Sequence, residues 1–135
     1  MANKVDHLAW AEDNRILAER LWESDDPVER RWSAVVAYYA ILHTAHAVAA
    51  DLWNGHPEDH FAVREVATRM DPTRVGLAAT IQEASLISIG ARYIGDHQTA
   101  AAWFAPFFTD EDEPIDRALE LMRTVVPELH RMAWG

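Results

Sequence analysis

The chain has no cysteine among its 135 residues, which removes disulfide staples and thiolate metal sites together and fits a reducing cytoplasm. Glycine is scarce, five in all. The sequence contains neither G-x-x-x-x-G-K, whose backbone N–H groups cradle phosphates, nor the dinucleotide fingerprint G-x-G-x-x-G. None of the four serines stands in a G-x-S-x-G elbow, so an α/β-hydrolase nucleophile is excluded. No histidine has a glutamate three residues before it, as the di-iron sites of helical bundles require, and H-E-x-x-H is also missing. The N-terminal stretch "MANKVDHLAWAEDNR" carries charges throughout and lacks the apolar core of a signal peptide. No run reads as a membrane span, so no membrane association is expected.

What is present is acidic. The net charge is −10, which speaks against a broad nucleic-acid footprint. The acids are unevenly placed. Residues 1–26 and 101–135 each hold seven acids against three bases, leaving eight against six for the middle. All six central bases are arginines, Arg30, Arg31, Arg64, Arg69, Arg74 and Arg92. Arginine has the side chain best shaped for forked contact with phosphate or carboxylate, so a local anion-binding groove is compatible with the composition. The length suits one domain over residues 1–135, large enough to bury a core.

Proline marks helix starts, because its missing N–H costs nothing at the first helical position. Asp26-Pro27, His56-Pro57, Asp71-Pro72 and Glu113-Pro114 each set a polar residue before such a proline, and Asp26-Pro27-Val28-Glu29 comes close to a capping box. Helices are expected over about 4–24, 27–54, 57–69, 72–95 and 114–133, with breaks at Asn54-Gly55, Met70-Asp71 and the acidic loop "TDEDEP". No alternating β-branched run competes, so the fold class is all-α. In the second helix Trp32, Val35, Tyr39, Leu42, His46, Ala49 and Trp53 recur at spacings of three and four, the stripe of a central bundle helix. The fourth is apolar over most of its circumference. Its polar residues, Gln82, Ser85, Ser88, Arg92 and Asp96, form one narrow stripe. The last helix places Ile115, Leu119, Met122, Val126 and Leu129 on a packing side, with Pro127 as a kink.

Two histidine spacings raise zinc: His43 with His46, and His56 with His60 beside Asp59. His46 falls on the apolar stripe, where a neutral imidazole bonded to a neighbouring helix is the commoner role, and His56 falls in a turn. No metal and no other cofactor is expected. Base stacking by the six tryptophans yields to core packing for Trp32 and Trp53. Trp103, in "AAWFAPFF", reads as a cover for the bundle or a partner surface.

There remains "RYIGDH", residues 92–97. Five residues turn a helix by about 140°, so Arg92 and His97 do not face the same way from one regular segment. Gly95 between them can end or bend the helix, and a second copy of the chain can bring its own pair across a two-fold axis. The plain alternative pairs Arg92 with Asp96, four residues on, as a surface ion bridge.

The segment "RRWSAVVAYYAILHTAHAVAADLWNGHPEDHFAVREVATRM", followed by an apolar helix ending in "ARYIGDH", resembles the HEPN domain family over roughly residues 5–100. The features that carry the resemblance are Tyr38-Tyr39-Ala40 with His43 and Ala45, then Arg92 with four residues before His97. The resemblance implies an up-and-down bundle of four main helices plus a C-terminal packing helix. It also implies a homodimeric, metal-independent endoribonuclease of the toxin or defence type, or a catalytically inactive relative that binds a nucleotide, RNA or a protein partner. In it Arg92 and His97 are the catalytic residues, with Tyr93 and Asp96 beside them as substrate-binding residues and RNA as substrate. An antitoxin is a natural partner for such a protein. Two positions depart from the family pattern: Tyr93 stands where a small polar residue is usual, and Thr99 where one subgroup has tyrosine.

Overall fold

Four helices emerge in a computed structural model that describes residues 3–53, 66, 68–69, 75–92 and 112–135. They are α1 (Lys4–Trp22), α2 (Pro27–Leu52), α3 (Val75–Arg92) and α4 (Asp112–Trp134). Helix is the sole regular secondary structure among the described residues. Of the helix expected over 57–69, only Val66, Thr68 and Arg69 are described, and these are helical.

The helix starts follow local chemistry. At α1 the Asn3 side chain accepts from the Asp6 backbone N–H at 3.0 Å, and the Asp6 carboxylate accepts from the Asn3 N–H at 3.3 Å. This reciprocal pair satisfies two donors that a helix start leaves without partners. At α2 the Asp26 carboxylate caps Val28 N–H at 2.8 Å with Pro27 in the first turn. Glu29 does not complete the box, because its carboxylate is taken by the Ser24 hydroxyl. The Trp53 N–H bonds to the Ala49 carbonyl at 3.1 Å and closes α2 at Leu52, short of the expected end at residue 54.

Helix α2 is the hub, packed against all three other helices, and its longest interface is with α1. Ala34, Ala37, Ala40, Ala45 and Ala47 are wholly buried along it. Alanine favours the helix, and small side chains let neighbours approach at short interaxial distance. Larger groups from all sides fill the remaining volume: Tyr38 and Ile41 from α2, Ile81 from α3, Leu119, Met122 and Leu129 from α4. The buried serine and threonine of α2 are satisfied within the helix. Thr44 donates to the Ala40 carbonyl at 2.8 Å and Ser33 to Arg30 at 2.5 Å. By length and composition α2 could cross a membrane, which the sequence reading did not anticipate. However, 67% of its most apolar stretch is buried inside the bundle, as in a core helix.

Several side chains lie elsewhere than the stripe predicts. Trp32 is 47% exposed and is not a core residue, because the first turns of α2 bury Ser33, Ala34 and Val35 instead. A helix covered on several sides has a buried arc wider than one stripe, and the small residues define it. Trp53 is half-buried against the core, with the Arg69 guanidinium 4.5 Å from its ring centroid. In α3, Ser88 is buried rather than part of a polar face, while Leu86 is exposed. In α4, Val125 is fully buried and Val126 only partly. Pro127 lies on an exposed position inside α4, where its missing N–H removes the helical donor to the Arg123 carbonyl.

Bidentate ion pairs tie the helices at their rims. Arg117 of α4 grips Glu83 of α3 at 2.9 and 3.1 Å, and Arg123 of α4 grips Glu19 of α1 at 2.7 and 2.5 Å. The indoles do similar work. Trp22 donates to Asp116 at 2.7 Å and Trp134 to Asp51 at 2.7 Å, so both ends of α4 are fixed to the α1–α2 pair.

Candidate functional site

Arg92 is the last residue of α3 and its side chain is exposed. Helix α3 packs on both α2 and α4, burying Leu77, Ile81, Ala84, Ile87 and Ala91, and its last residue, 92, lies beside the middle of α2. There the Arg92 guanidinium lies over the ring of Tyr39, 5.4 Å from Cζ to the centroid, and donates an Nη2 hydrogen bond to the Tyr39 hydroxyl. Tyr39 is half-buried, with its ring 6.4 Å from that of Tyr38 at 48°. Tyr38 faces inward and is 1% exposed. The two tyrosines therefore divide the work: one fills the core, the other forms a platform at its edge.

The platform has an electrostatic consequence. Arg15, Arg117, Arg123 and Arg131 are each neutralised by a carboxylate at hydrogen-bonding distance. Arg92 is instead held by a neutral phenol, and among the described residues no carboxylate pairs with it. A guanidinium has five N–H donors in a planar fork, and the Tyr39 hydroxyl occupies one direction. The Arg92 side chain is exposed at the end of α3.

Of the other site residues expected from the sequence, Tyr93, Asp96 and His97 lie outside the described residues. So do His56, Asp59, His60 and Trp103. The Arg92–Asp96 ion bridge weighed from spacing lies outside them too. Tyr39, which the sequence places on the packing stripe of α2, is the side chain that contacts Arg92. Spacing within either helix carries no signal for this contact, which joins residues 53 positions apart.

His43 and His46 do meet, though with a third partner. His7 of α1 lies between the two helices, 3% exposed, and its ring centroid is 5.5 Å from that of His43 and 4.9 Å from that of His46. Among the described residues no three His, Asp or Glu side chains are arranged to hold a metal ion. A cleft of about 310 Å³ opens between α3 and α4, lined by Gly76, Leu77, Thr80, Thr124, Val125 and Glu128. Its threonine hydroxyls are spent on their own helices, Thr80 on Gly76 at 2.7 Å and Thr124 on Glu120 at 2.9 Å. The cleft lies at the opposite end of α3 from Arg92, about 18 Å along the helix axis.

No family model, no curated protein and no solved structure matches this chain.

Proposed function

We propose that the chain is a HEPN-like, metal-independent endoribonuclease acting as a homodimer in the cytoplasm, with Arg92 and His97 of both copies around one cleft. The observation that carries this reading is Arg92 itself. It is a fixed cation at a helix end, seated on the ring of Tyr39 and hydrogen-bonded to its hydroxyl. Such a guanidinium is pre-oriented and still carries its charge, as the binding of a scissile phosphate by two parallel hydrogen bonds requires. Histidine titrates near neutral pH and so can take the ribose 2′-OH proton or protonate the leaving 5′-oxygen. Attack of the 2′-oxygen on phosphorus forms one P–O bond as the P–O5′ bond breaks, leaving a 2′,3′-cyclic phosphate and a free 5′-hydroxyl. Tyr93 and Asp96 flank the two residues as substrate contacts. A toxin or defence ribonuclease restrained by an antitoxin accommodates this chemistry.

The product ends test the reaction class. With single-stranded and structured RNA in EDTA, the expected products carry 2′,3′-cyclic phosphate and 5′-hydroxyl ends, and a strand with a 2′-deoxy sugar at the cleavage site is spared. Cleavage of the deoxy strand, or activity abolished by EDTA, would reject the mechanism. The net charge of −10 and Tyr93 after the arginine favour a second reading, a non-catalytic HEPN-like module binding a nucleotide, RNA or protein partner. That module binds RNA without producing new ends.

A further inference from the structure

The His7–His43 contact has the geometry of a shared proton. The two Nδ1 atoms are 3.2 Å apart. The ring centroids are separated by 5.5 Å with planes at 29°, so the centroid distance is close to the nitrogen separation plus one ring radius at each end. The two nitrogens therefore point at one another along a nearly straight line. That alignment is an N–H···N hydrogen bond, and it requires one imidazole to donate and the other to accept. The pair can be neutral or carry one charge. A second proton replaces the accepting lone pair with another N–H, and two cations then face each other at hydrogen-bonding distance.

The surroundings sharpen this. Trp10, one turn along α1, stands edge-on to both rings, 5.3 Å from His7 at 86° and 5.5 Å from His43 at 61°. His46 on α2 adds a third imidazole, 6.2 Å from His43. Among the described residues, the other charged groups at this end of the hairpin have partners. Asp6 is held in the α1 cap, Lys4 is bridged to Asp51 at 3.5 Å and lies over Trp134, and His130 of α4 stands edge-on to Trp134. Burial, and then the positive charge of His7, push the His43 pKa below its ordinary 6.5.

We propose that His7 and His43 form a one-proton latch between α1 and α2, closed while the pair holds at most one charge and released when acidification delivers the second. The N-terminal turns of α1 then leave α2 while the Tyr38-centred core stays folded. The sign follows from linkage. The open hairpin takes the second proton near the ordinary imidazole value and the closed one takes it lower. Closure is therefore fully favoured above about pH 6.5 and weakens as pH falls from there toward the pair's lowered value. Because the two groups interact strongly, they titrate as a pair in two macroscopic steps.

Nuclear magnetic resonance of the full chain in EDTA tests the latch, reading imidazole nitrogen shifts and amide protection factors from pH 8 to pH 5. In the wild type the pair's second step falls below the ordinary value. Protection across residues 4–11 drops with it, by up to about tenfold per pH unit, while α4 stays protected. In His43→Gln, and reciprocally in His7→Gln, a neutral amide replaces one imidazole and the pH-dependent loss across α1 disappears. Two ordinary, independent titrations with α1 protection unchanged would overturn the proposal. So would glutamine variants that lose protection over the same pH range as the wild type.

Discussion

Arg92→Ala is expected to lower RNA cleavage by about two to three orders of magnitude, the usual cost of removing a positioned electrostatic stabiliser from a phosphoryl transition state. His97→Ala is expected to cost about 10²–10⁴-fold, the range for loss of a general acid or base. The physical argument predicts a graded series at position 92 and its seat. Arg92→Lys keeps the charge but loses the planar fork and the flat contact with Tyr39, so its activity falls between alanine and wild type. Tyr39→Phe keeps the ring under the guanidinium and removes only the hydroxyl that accepts from Nη2. Its loss is about tenfold or less, as for one partly exposed hydrogen bond to a charged group. The Arg92 and Tyr39 variants should melt within a few degrees of the wild type, because Arg92 is exposed and Tyr39 is half-buried. Initial cleavage rates set beside melting curves decide the matter. Wild-type rates in both Arg92→Ala and His97→Ala would remove these residues from the chemistry.

The neighbouring tyrosine behaves in the opposite way. Among the described residues Tyr38 is the largest fully buried side chain, and it belongs to α2, which packs against α1, α3 and α4. Tyr38→Ala removes an aromatic ring from a site that cannot collapse, since the surrounding alanines are already at full burial. The expected loss is about 3–5 kcal/mol, the transfer free energy of the ring plus the cost of the cavity. At this chain length that lowers the melting temperature by roughly 10–15 °C. Chemical denaturation should show the same loss with little change in slope. A decrease under about 3 °C would mean that Tyr38 does not hold the core together. The pair Tyr38→Ala and Tyr39→Phe thus separates stability from function at adjacent residues.

How much of this was legible in the sequence depends on which residues carry the message. The start at Pro27 was legible because a proline after Asp26 has few alternatives to a helix N-terminus, and α2 begins there; Pro57 and Pro72 lie outside the described residues, and α4 begins at Asp112, ahead of Pro114. The reciprocal cap of Asn3 and Asp6 was equally local and was missed for lack of a proline to mark it. The hub role of α2 followed from its apolar spacing, but the buried arc did not. A stripe drawn through the large residues put Trp32 inside, whereas packing buried the alanines and left Trp32 47% exposed. Amphipathic pattern finds the side of a helix that meets one neighbour; it fails where three neighbours share the surface. At the candidate site, Arg92 was legible as an isolated charge on an apolar helix. Its contact with Tyr39 joins residues 53 positions apart and depends on the register of α3 against α2, which one sequence does not encode locally. The same holds for His7 and His43, which lie 36 positions apart. His43 was considered as a zinc ligand with its sequence neighbours, while its partner was on another helix.

The central claim is that two copies of the chain bring these groups to one cleft, and the cysteine-free sequence allows a direct measurement. His97→Cys accepts a single nitroxide per protomer, and double electron–electron resonance then reads the distance between the two labels in solution. The account predicts a dimer with one narrow distance at the short end of the method's range. Absence of dipolar coupling, as from a monomer, or a long distance placing the labels on opposite outer faces, would contradict it.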